Sequence, residues 1–122
     1  MAFLADYILD LALAELDTAT ATLYICSQEP TSYAGASSTY KLGTKTSLSI
    51  GAPADRTPSG RKVSVATFSD GVVDSSGTAT HWAITKSGTT LMATGALASS
   101  QAVTAGNTFS LAAFDIGIPD AA

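Results

Sequence analysis

From residue 21 onward, apolar and polar positions alternate in short runs that turn-forming residues cut at close intervals. Residues 21–26 set Leu23 and Ile25 against Thr22 and Tyr24, the two-residue period of a strand with one buried face. Fainter runs follow at 39–42 and 46–50. Val63 and Val65 then alternate within 61–68, and Val72-Val73 forms a short strand piece. Residues 78–85 place Thr80, Trp82 and Ile84 on one face and Ala79, His81 and Ala83 on the other. Leu91, Ala93, Gly95 and Leu97 share a side of the next run, Thr108–Leu111 adds another, and Phe114, Ile116 and Ile118 alternate in the last. Ser69-Asp70-Gly71, residues 74–77, residues 86–88 and Ala105-Gly106-Asn107 read as turns, the last of hairpin type. The stretches 28–38 and 51–60, broken by Pro and Gly, read as exposed loops. Strands of about six residues with turns every eight to twelve or so predict a mainly-β fold, an antiparallel β-sandwich of jelly-roll-like or Ig-like type.

The first sixteen residues follow a different rule. They are rich in Ala and Leu without Gly or Pro, which predicts a helix over 2–16, with Asp6 near its positive end. Asp6, Asp10 and Asp17 fall near one stripe, while Phe3, Leu4, Tyr7, Ile8, Leu9, Leu11, Leu13 and Leu16 cover most of the rest. So wide an apolar arc needs cover on more than one side. The chain's own sheet would cover part, and a neighbouring subunit the remainder. The segment lacks a basic leader and carries Asp6 and Asp10, so it does not read as a signal peptide. It is also shorter than the roughly 20 apolar residues of a membrane span. The expectation is a soluble chain made in the cytoplasm, with residues 1–122 as one domain and the sandwich over 20–118. The 51–60 stretch lies inside that domain, because the residues before it cannot close a core alone.

Composition narrows the partners. Hydrophobic residues make up 46% and charged residues 13%, which opposes global disorder. A net charge of −4 opposes nucleic acid as the main partner, since phosphate binding needs a basic face. Residues 1–40 hold Asp6, Asp10, Glu15, Asp17 and Glu29 and no base, whereas Lys41, Lys45, Arg56, Arg61, Lys62 and Lys86 all come later. Contacts between copies can use such a division; scattered solvated charges are the plainer account.

Catalytic constellations are scarce. Cys26 is the one cysteine and sits in an apolar run, where it reads as a small buried hydrophobe. His81, the one histidine, reads as a residue of the sheet surface or core edge beside Trp82, and no metal-ligand spacing surrounds it. Asp70 and Asp74 flank a short stretch without the spacing of a calcium loop, so turn chemistry accounts for them better. Trp82 is expected as a plug between sheets rather than a sugar-stacking platform. Tyr33 and Tyr40, in polar loops, are the candidate exposed aromatics. Arg56, Arg61 and Lys62 flank the Pro-rich loop, where they stay solvated or meet an acidic surface, either the first helix or a partner. No enzyme activity, cofactor or metal is expected.

Four short signatures stand in order along the chain: Ala21-Thr22-Leu23-Tyr24, Thr80-His81-Trp82, Gly95-Ala96-Leu97 and Ala105-Gly106-Asn107-Thr108-Phe109. With the helix ahead of them, they resemble a family of small tailed-bacteriophage virion proteins, often labelled tail-fibre-like. Residues 30–60 match that pattern poorly. The resemblance implies a structural component of the virion present in many copies, and it carries over no catalytic residue. The shortness of the chain, its lack of fibre repeats and its apolar helix favour a capsid decoration (cement) protein that bridges neighbouring capsid subunits. The expected partners are the major capsid protein and copies of the chain itself, with a trimer as the expected homo-oligomer, and no nucleic acid and no membrane. The candidate contacts are Phe3, Leu4, Tyr7, Ile8, Leu11, Tyr33, Tyr40, Arg56, Arg61 and Lys62. The alternative is a tail, neck or fibre component, including a receptor- or carbohydrate-binding module.

Overall fold

The computed structural model describes residues 5–16, 21–57, 59–86 and 90–118. A helix, α1 (Asp6–Ala14), precedes strands β1 (Thr22–Cys26), β2 (Lys41–Thr46), β3 (Ala54–Asp55), β4 (Arg61–Val65), β5 (Phe68–Val73), β6 (Gly77–Lys86), β7 (Thr90–Val103), β8 (Thr108–Leu111) and β9 (Phe114–Ile118). A π-helical turn spans Gly35–Thr39. The strands form two antiparallel sheets, ordered β7-β6-β1-β2-β5-β8 and β3-β4-β9. The result is a mainly-β, sandwich-like fold with a short N-terminal helix. Of the expected helix over 2–16, residues 2–4 lie outside the described part.

Alternation places the core. Leu23 and Ile25 of β1, Trp82 and Ile84 of β6, Val73 of β5, and Phe109 and Leu111 of β8 face Val63 and Val65 of β4 in one buried cluster. α1 packs on β4 and adds Leu13, with Leu16 just beyond its end. The opposite face of β1 is also covered. The loop after it folds back so that Ala36 and Tyr40 meet Cys26, Tyr24 and Ala83 in a second, smaller cluster. The 28–38 stretch is therefore a cap on the sheet as well as a loop, with Pro30 and Gly35 buried in it.

Two aromatic rings are seated on glycine. A Cβ on Gly95 would lie 2.6 Å from Trp82 Cζ2, and one on Gly43 would lie 2.8 Å from Phe109 Cε1. Gly71 is closer still to the Phe109 ring. This corrects the reading of Ser69-Asp70-Gly71 as a turn: these residues lie within β5, and Gly71 makes room for Phe109. The 46–50 strand is also corrected. Ser47 has φ +55°, a left-handed conformation that ends β2, and Ile50 keeps one isolated bridge to Val65.

Two bulges shift the faces of β6 and β7. Ile84 pairs with Ala93 but Thr85 with Leu91, so Met92 is the extra residue and Leu91 turns to the smaller cluster. Ala79 pairs with Gln101 and His81 with Ala96, leaving residues 97–100 opposite Thr80 alone. Thr80 thereby leaves the face of Trp82, and its hydroxyl donates to the Ser27 carbonyl at 3.0 Å. Ala79 takes the core side instead.

The Ala105-Gly106-Asn107 turn forms, with Asn107 N–H donating to Thr104 O at 3.1 Å and Gly106 at φ +89°. It is not a hairpin between neighbours. It joins β7 to β8, the two edges of the six-stranded sheet, and Gly106 N–H reaches the Val73 carbonyl at 2.9 Å. A tight link between opposite edges requires the sheet to curl strongly.

Candidate interaction surface

α1 is anchored on one side and open on the other. Leu9, Leu13 and Leu16 are buried, while Tyr7 is 70%, Ile8 46% and Leu11 51% exposed. The predicted arc is thus divided, and the outward part is a contiguous apolar face one helical turn apart. Phe3 and Leu4, expected on the same surface, lie outside the described residues. Beside α1, an apolar groove of about 350 Å³ is lined by Leu13, Leu16, Leu91, Met92, Ile116 and Ile118. Val72, 52% exposed on β5, is a further outward apolar residue. Its place beside Val73 in a two-valine run hid which of the pair faces out.

The basic candidates separate into different roles. Arg61 grips Asp10 of α1 through two bonds, Nε to Oδ1 at 2.8 Å and Nη2 to Oδ2 at 3.2 Å. Its Nη1 also donates to Asp55 of β3. Hydrogen bonds to Asp10 and then to Asp55 raise the guanidinium pKa above its ordinary value. Arg61 therefore ties the helix to the small sheet within the chain. Lys62 pairs with Asp115 across β4 and β9 at 3.0 Å. The Ser64 hydroxyl donates to the same carboxylate, and that bond, followed by Lys62, lowers its pKa. Arg56 donates through Nη1 to the Ser59 carbonyl at 3.0 Å, and its stem lies against Gly117.

Tyr33 and Tyr40 do not stand free in solvent, which corrects the expectation of exposed aromatics. Both are half-buried. Tyr40 packs on the Cys26 cluster, and the hydroxyl pKa of Tyr24 is raised by burial first and by its neighbour Tyr33 second. Trp82 is buried and stacks at a tilt on Phe114, with ring centroids 4.7 Å apart, so it serves as the expected plug between sheets.

The remaining polar candidates are engaged in the fold. Burial pushes the Cys26 thiol up to about 11, and Sγ donates to the Ala36 carbonyl at 3.8 Å. That is the reverse of the lowered pKa that activates a cysteine nucleophile. His81 is half-buried, with Nδ1 2.9 Å from the Thr80 hydroxyl. Asp70 pairs with Lys45 at 2.9 Å, and Asp74 accepts from the Thr44 hydroxyl at 2.7 Å with Lys41 nearby. Among the described residues, no group of three or more His, Cys, Asp or Glu side chains is placed to hold a metal ion. None of their helices is long and apolar enough to cross a membrane. Comparison with protein-family models, curated proteins and solved structures finds no match to this chain.

Proposed function

We propose that the protein is a capsid decoration (cement) protein of a tailed bacteriophage, seated on the head surface and bridging neighbouring capsid subunits. The observation that carries this reading is the outward face of α1. Tyr7, Ile8 and Leu11 are exposed on a helix whose other side is fixed by Leu9 and Leu13 and by the Arg61–Asp10 pair. An apolar face held in place by its own scaffold loses little freedom when it docks. Burying each of its side chains is worth roughly 1.5–3 kcal/mol at most. A modest contact of this kind stabilises a shell when it recurs at every local symmetry position. The ordered sequence signatures support the same reading.

Imaging of particles with and without the protein tests it, together with their survival on heating. Loss of surface density and of heat resistance is expected on removal, and a Tyr7→Ser/Ile8→Ser/Leu11→Ser variant should fold yet fail to occupy particles. An unchanged head surface and unchanged heat resistance would overturn the proposal. Quantitative mass spectrometry gives the copy number. Decoration requires on the order of hundreds of copies per particle, whereas roughly a dozen or fewer would favour a tail, neck or fibre component.

A further inference from the structure

Arg56 is the one cation whose partner among the described residues is not a carboxylate. Lys41, Lys45, Arg61, Lys62 and Lys86 are each in an ion pair with an acid of the same chain. Arg56 is nonetheless held at several points. Its main-chain N–H donates to the Gly60 carbonyl at 2.9 Å, closing the loop between β3 and β4. Its Cδ would lie 2.7 Å from a Cβ on Gly117, so the stem rests directly on the β9 backbone. Nη1 donates to Ser59, and Arg56 lines a polar cleft of about 400 Å³ together with Thr57, Lys62, Asp115 and Gly117. Lys62 and Gly117 are directly paired, so the cleft lies on their side of the small sheet, while Val63 and Val65 point to the core side with α1.

A complementary group lies elsewhere on the molecule. Asp10, Glu15, Asp55, Asp70, Asp74 and Asp115 are paired with bases, and Glu29 accepts from the Thr94 hydroxyl at 3.1 Å. Among the described acids, Asp6 is exposed and makes no ion pair. It stands in the first turn of α1 beside the outward apolar face of Tyr7, Ile8 and Leu11. No ion pair joins Asp6 to Arg56 within the chain.

We propose that Arg56 receives the Asp6 carboxylate of a second copy of this chain, so that α1 of one subunit docks on the outer face of the β3-β4-β9 sheet of the next. The guanidinium fork suits a carboxylate, and its anchored stem limits the freedom lost on pairing. The two surfaces differ, so the contact is head-to-tail. It closes into a ring where the rotation permits and propagates where it does not. The proposal concerns the free protein and does not rest on the capsid reading.

Sedimentation of the purified full chain across concentration and salt tests it. The wild type should self-associate, more weakly at high salt. Asp6→Arg and Arg56→Glu should each weaken association roughly tenfold or more, and the Asp6→Arg/Arg56→Glu double variant should recover most of that loss. A wild type that stays monomeric at low salt would overturn the proposal. So would unaffected single variants, or recovery of Arg56→Glu by reversal at another acid but not at Asp6. Thermal unfolding of each variant confirms that it is folded before association is compared.

Discussion

Phe109 and Trp82 occupy their places because the residues beneath them have no side chain. A methyl on Gly71 would overlap the Phe109 ring, and one on Gly43 would press on its edge. Gly71→Ala should therefore destabilise by about 1–3 kcal/mol, the usual cost of overpacking a filled core. Shrinking the ring should relieve part of it. Denaturant unfolding of Gly71→Ala, Phe109→Leu and the double variant should show a total smaller than the sum of the singles. Cys26 makes a different prediction. Its thiol titrates at about 11 in the folded chain against an ordinary value near 9. Between those values the unfolded chain has released the proton and the folded chain still holds it, so stability falls as pH rises. The loss from this group approaches roughly 3 kcal/mol and levels off only above about pH 11. Tyr24, also raised, acts with the same sign. Cys26→Ala should remove the cysteine part of that alkaline slope in a pH series of unfolding curves.

At the scale of elements, α1 is held by leucines inside and by a charged clasp at its edge. The Arg61 fork engages both oxygens of Asp10, and Asp55 steadies the same guanidinium from β3. Arg61→Ala and Asp10→Ala should each speed amide hydrogen exchange in α1 while leaving β1 and β6 protected, and the double variant should be no faster than either single. The existence of the helix was legible in its Ala- and Leu-rich, Gly-free sequence. Which half of its apolar arc stays outward was not, because β4 and Leu16 settle that through tertiary packing. Strand periods were legible wherever alternation was unbroken, as in β1 and β9. They failed at Thr80 and Met92, since a bulge inserts a residue without any mark in residue chemistry. Gly71 misled for a related reason: the same residue type serves a turn and a close approach. Among the basic candidates, the sequence grouped Arg56, Arg61 and Lys62 beside one loop and held no sign that Arg61 would take an acid of the helix while Arg56 alone would lack one among the described residues.

For the molecule as a whole, the ion pairs distribute acid sensitivity over several surfaces. Lys86 lowers the pKa of Glu15, Lys45 that of Asp70, and Ser64 with Lys62 that of Asp115. A carboxylate held below its ordinary value contributes stability above about pH 4, and that contribution is lost as pH falls through the folded value. The melting midpoint should hold from neutrality to about pH 5, then decline below about pH 4, with a shallower decline at high salt. Thermal unfolding across that range checks it. The two-sheet class could be read from strand count and spacing, whereas strand order could not, because one sequence does not fix register. That order has a consequence for how the chain reaches its native state. β1 sits in mid-sheet, yet one of its two neighbours is β6, and β4 finds its main partner only in β9. Four of the seven pairings, β1-β6, β2-β5, β4-β9 and β5-β8, join strands that are not consecutive in the chain, the situation in which folding is slow, on the order of milliseconds to seconds. Both the Trp82–Phe114 contact and the β4–β9 pairing of the small sheet depend on Phe114–Ile118 reaching back across the chain to β4.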